Sequence, residues 1–109
     1  MVNRKALVAE HPLDFLPFVG KKKPTPSSPH CRDFWAVHST GRYADDCLLG
    51  AAYARQALVY VHRHGSIYLI ADVVKEIAAK GSTVEAPGLV TGFFEVIGTA
   101  LLGVEILDG

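Results

Sequence analysis

TGRYADDCLLGAAYARQALVYVHRHGS, residues Thr40–Ser66, carries one helical period from end to end. Tyr43, Cys47, Gly50, Ala51, Ala54, Leu58 and Val61 recur at steps of three, four and one, which at 100° per residue gathers them into one arc. Most are small, so a second helix can approach that arc closely. Asp45, Arg55, Gln56 and Arg63 fall on the other side, toward water. Both ends are marked. Thr40 is placed to cap the N-terminus, Asp45 and Asp46 stand in the first turn, and His62, Arg63 and His64 precede Gly65 at the last. The stretch predicts one long helix and, with it, a mainly α-helical domain.

The same residues resemble the donor set of a metal or hydrolytic centre, with carboxylates and a cysteine near one end and two histidines at the other. Spacing argues against it. Asp45 or Asp46 is 16 to 19 residues from His62 or His64, a rise of about 24 to 29 Å along a helix. The helix dipole accounts for every one of these side chains without a ligand. Asp46, Tyr53, His62 and His64 can meet only through another helix or a second chain, in a pocket formed between subunits.

Outward from this helix the pattern continues. Gly65 separates it from a second helix over Ile67–Lys80, with Ser66 as cap, Ile70, Ala71, Val74, Ile77 and Ala78 facing inward, and Asp72, Lys75, Glu76 and Lys80 outward. The short connection predicts that the two helices are adjacent. Ser82 and Glu85 have capping-box spacing, and Pro87 suits the start of a third helix. In GLVTGFFEVIGTALLGVEIL, Gly88–Leu107, a helix gathers Leu89, Val90, Phe93, Val96, Ile97, Ala100, Leu101 and Val104 on one apolar arc. The alternative is a C-terminal β-hairpin turning at Gly98, which would make the fold α+β; glycines cost a helix about 1 kcal/mol each relative to alanine, less than the arc contributes.

Upstream, GKKKPTPSSPH (residues 20–30) holds too much proline for a helix or central strand and reads as an exposed Pro/Lys linker. It follows an apolar arm, residues 1–19, in which Leu13, Phe15, Leu16 and Phe18 are too apolar for a free tail and too interrupted by Pro12 and Pro17 to fold alone. The arm is expected to dock on a groove of its own body, of a neighbouring copy or of another protein. Residues 31–109 make the single helical domain, entered through RDFWAVHSTG, a short strand or extended lead-in that carries Trp35.

The net charge is zero, yet residues 1–42 sum to +4 and residues 43–109 to −4. A basic front and an acidic body favour contact within or between chains. Lys21, Lys22 and Lys23 could touch phosphate, but the third helix holds no Lys or Arg with which to grip a nucleic acid backbone. His30, Cys31, His38 and Cys47 lack the paired spacing of a structural zinc module, and no metal or other cofactor is implied. Cys31, beside Arg32, is the better thiolate candidate of the two cysteines, but no nucleophile elbow, phosphate loop or HExxH accompanies it. No apolar run is free of charge for the length of a membrane span. The sequence therefore points to a small cytosolic interaction module that binds itself or another protein, with no membrane, and weighs against an enzyme; the alternatives are a small enzyme or ligand-binding protein with its pocket between subunits and, more weakly, a nucleic-acid accessory that uses the basic arm.

Overall fold

The computed structural model describes residues 11–22, 32–81 and 86–103. The fold is mainly α-helical: the described residues form three helices and a two-stranded antiparallel ribbon. Helix α1 is Tyr43–His64, α2 is Leu69–Lys80 and α3 is Pro87–Leu102; strands β1, Gly20–Lys21, and β2, Arg32–Asp33, pair with Gly20 opposite Asp33.

Helix α1 stops where its sequence says it must. Gly65 turns into the left-handed region (φ 60°, ψ 31°) and its N–H donates to the Val61 carbonyl, a conformation without steric cost for glycine. The N-terminus differs from expectation. Arg42, not Thr40, holds the cap position, with no side-chain capping bond, because Thr40 is bound instead to Asp46.

Helix α3 runs unbroken over Pro87–Leu102, through Gly98 where the hairpin would turn, so the hairpin alternative falls; Val104 lies outside the described residues. Pro87 occupies its first turn, where the missing N–H is no loss. Leu89, Phe93 and Ile97 are buried as the arc predicts, whereas Leu101, at the far end, is exposed. Helix α1 packs chiefly against α3. A Cβ built on Gly50 would land on the Leu89 carbonyl, and one built on Gly92 on the Cys47 carbonyl. The small arc of α1 is thus consumed in an intrachain helix pair at close range.

Helix α2 departs most from its pattern. It starts at Leu69, with Tyr68 rather than Ser66 at the cap position, and it barely touches α1 despite the short connection between them. Its buried residues are Leu69, Val73 and Glu76, while Ala71, Val74 and Ala78, expected inward, are exposed. Leu69 and Val73 enter the core from the same face as two charged residues that the ribbon holds. Glu76 accepts hydrogen bonds from the Phe34 N–H (3.2 Å) and from Lys22 Nζ (2.6 Å), and Lys80 Nζ bonds both Asp33 carboxylate oxygens at 3.1 Å and the Trp35 carbonyl. A helix whose charged residues hold the ribbon must turn them inward, and its alanines then face water. Ser82 and Glu85 lie outside the described residues.

The first described residues join the same core. A 3₁₀ turn, Pro12–Phe15, is closed by His11, whose Nδ1 accepts from the Leu13 N–H while Asp14 accepts from the His11 N–H. Leu16 and Phe18 then enter the interior, and the Phe18 carbonyl accepts from the Ala36 N–H at 2.8 Å. Phe18 packs at 5.7 Å from both Tyr53 and Phe93, and Trp35 lies edge-on to Phe93 at 5.1 Å. Such tilted aromatic pairs add about 0.5–1.5 kcal/mol each beyond the area they bury.

Candidate functional site

Where the 3₁₀ turn crosses the last turns of α1, a groove of about 260 Å³ opens, formed by Pro12, Phe15 and Leu16 on one side and Gln56, Val59, Tyr60, Arg63 and His64 on the other. Leu16 closes its floor from the core. Phe15 is 72% exposed and Val59 55% exposed, so the groove presents apolar walls to solvent. Its rim is basic, with Arg63 beside His64, whose ring lies 4.5 Å from that of Tyr60. The turn is held in place by Asp14, which also accepts from Arg32 Nε at 3.3 Å.

The outer face of α1, away from α3, continues this surface. Leu48 is 70% exposed, and Asp45, Arg55 and His62 stand out with it. These residues were absent from the inward arc read from sequence, and that absence was the available signal for Leu48 and Val59. Gln56 and Tyr60 lie outside that arc as well, and what the pattern could not show is that their neighbours in the groove come from the arm.

The catalytic candidates are not brought together. Asp46 is buried at the N-terminal end of α1, where its carboxylate accepts from Ser39 Oγ, the Thr40 N–H and Thr40 Oγ1, all at 2.7 Å. The Ser39 and Thr40 hydroxyls, then the Thr40 amide, hold its pKa below the ordinary carboxylate value against the opposing effect of burial. Such a carboxylate ties the loop to the helix and has little proton affinity to offer a reaction. Tyr53 packs on Phe18 in the core, and His62 and His64 are exposed at the other end of α1. Cys47 is a half-buried free thiol, His38 is exposed, and Cys31 and His30 lie outside the described residues. Among the described residues no three His, Cys, Asp or Glu side chains gather as a metal site would need.

The interaction residues divide. Leu16, Phe18 and Trp35 are buried in the chain's own core, Leu13 is half-buried and Phe15 is exposed. Trp35 Nε1 is buried with no hydrogen-bond partner among the described residues. Of the three lysines, Lys21 is exposed, Lys22 is engaged by Glu76 and Lys23 lies outside the described residues. Sequence reading missed Glu76 and Lys80 as the residues that hold the ribbon, since their partners are 42 to 54 positions away.

No protein-family model, no curated protein and no solved structure matches the chain. Among the described residues no helix is long and apolar enough to cross a membrane.

Proposed function

We propose that this chain is a small helical protein-interaction module of the cytosol that associates with itself, using the outer face of α1 and the arm residue Phe15. The observation that carries the reading is the groove between Phe15 and Val59: two large apolar side chains line it while remaining mostly in water. Leu16 and Phe18 find their docking site within the chain, and among the described arm residues Phe15 is the large apolar side chain left exposed. Contiguous exposed apolar surface of this kind marks sites of protein association more often than isolated exposed residues do. Two cysteines without a disulfide framework suit a reducing compartment.

The test is the solution mass of the full chain by size exclusion with light scattering across a concentration series. The expected result is a dimer that Phe15→Ser shifts toward monomer without changing the helical circular dichroism. A monomer at every concentration would overturn self-association.

A further inference from the structure

We propose that two copies of the chain pair through the outer face of α1 in an antiparallel arrangement, with Leu48 of each opposite Val59 of the other. This deepens the self-association proposed above and rests on it. Asp45, Leu48, Ala52, Arg55, Val59 and His62 alternate steps of three and four, the spacing of a coiled-coil seam. Each of the six is exposed or half-exposed. The core-facing side of the same helix runs through Gly50, Ala54 and Ala57, which are buried. Helix α1 thus carries two stripes: one of small residues, spent on α3, and one of mixed residues on the outside.

The order of side chains along the outer stripe selects the partner and the direction. Read from one end it runs acid, leucine, alanine, arginine, valine, histidine. Reversed by a two-fold axis through its middle, the stripe sets Asp45 against His62, Leu48 against Val59 and Ala52 against Arg55 of the second copy. A carboxylate meets an imidazole at both ends, apolar residues meet inside them, and the smallest residue faces the longest, whose stem can lie over it with the guanidinium in water. Arg63, next to His62, adds a permanent cation opposite Asp45. A parallel pairing would instead place Asp45 on Asp45 and Arg55 on Arg55, like against like. The two-fold arrangement is the one that makes a single patch complementary to itself.

The arm enlarges this contact. Val59 belongs both to the stripe and to the groove, so Phe15 stands at the edge of the paired helices and can cover the second copy's Leu48 end. Helix α1 provides about six turns, and a single helix pair is a smaller contact than the roughly 1,200–2,000 Å² of total surface usual in stable complexes, which favours a reversible dimer.

Cross-linking tests the register. In a background with Cys31→Ser and Cys47→Ala, chains carrying Leu48→Cys and chains carrying Val59→Cys are oxidised separately and as a mixture. The mixture is expected to give a disulfide-linked dimer and each variant alone is not, because identical positions in the antiparallel pair lie about 16 Å apart along the axis, beyond disulfide reach. Charge gives a second readout that does not depend on new cysteines. Asp45→Lys is expected to weaken dimerisation by about tenfold or more, and adding His62→Glu with Arg63→Glu on the same chain is expected to restore it, with circular dichroism confirming that each variant is helical. Equal cross-linking of either variant alone, or none in the mixture, would overturn the pairing. A wild-type dimer indifferent to Asp45→Lys overturns this interface while leaving self-association standing, and a wild-type monomer removes both.

Discussion

The Gly92 backbone of α3 rests on the Cys47 backbone of α1, with no room for a single added carbon between them. Gly92→Ala must therefore push the two helices apart, where backbone cannot yield as a flexible side chain would. Overpacking costs about 1–3 kcal/mol, and a backbone contact places this variant at the upper end. Gly98, six residues on, has nothing within contact of a Cβ and is exposed; Gly98→Ala is expected to stabilise by about 1 kcal/mol through helix propensity. Urea denaturation of the two variants should show opposite shifts, and a mild effect at Gly92 would mean that α1 and α3 are not so closely packed.

Glu76 is the buried anchor of the ribbon, and its two partners are not equivalent. Glu76→Ala leaves the Phe34 N–H without its acceptor and is expected to cost about 1–3 kcal/mol. Lys22→Ala removes the more exposed member of the ion pair, whose side chain is 40% accessible against 7% for Glu76, and should cost less. Chemical denaturation ranks the two variants. A larger loss for Lys22→Ala would mean that the charge pair, rather than the hydrogen bond to Phe34, holds the strand.

Asp46 sets an acid limit on stability. Its folded pKa lies below the ordinary 3.8 because Ser39 and Thr40 donate to the charged carboxylate. The unfolded chain therefore takes up the proton first, and the contribution of Asp46 is fully present above the ordinary value and lost as pH falls through it toward the folded one. Comparing wild type with Asp46→Asn in denaturant at stepped pH, the stability gap should be constant near neutrality and close in acid. A gap that persists unchanged into strong acid would contradict the hydrogen-bonded carboxylate.

Trp35, the one tryptophan of the chain, reports on the arm. It is buried with its ring 6.2 Å from Phe18, so its fluorescence is expected to be blue-shifted and poorly quenched by acrylamide at every dilution. Phe18→Ala should cost about 3–5 kcal/mol and shift the emission to the red. If dilution alone exposes Trp35, the arm is docked on a neighbouring copy instead of its own.

The end of α1 and the start of α3 were legible because Gly65 and Pro87 act locally, through φ and a missing N–H. The apolar arc of α3 outweighed its glycines because Gly88 and Gly92 are what let α1 approach. The inward face of α2 was misread for the converse reason. Hydrophobic periodicity assumes that charge faces water, and Glu76 and Lys80 violate that assumption by pairing with the ribbon. Asp46 was read as a helix-dipole residue, and its bonds to Ser39 and Thr40 depend on a loop conformation that no spacing rule encodes. For the arm, composition said that Leu16 and Phe18 needed a groove, but not whose; Phe93 and Tyr53 supply it from far along the chain.

Phe18, Tyr53 and Phe93 come from three segments separated by 35 and 40 residues, and each completes the surroundings of the first. Such distant contacts close late and together, after the loops between them have given up their freedom. During synthesis from the N-terminus, Phe18 and Trp35 wait uncovered until Phe93 has been made. The nascent chain is then an apolar arm in search of a groove, and whatever shields it before its own α3 arrives decides how much of it reaches the folded state.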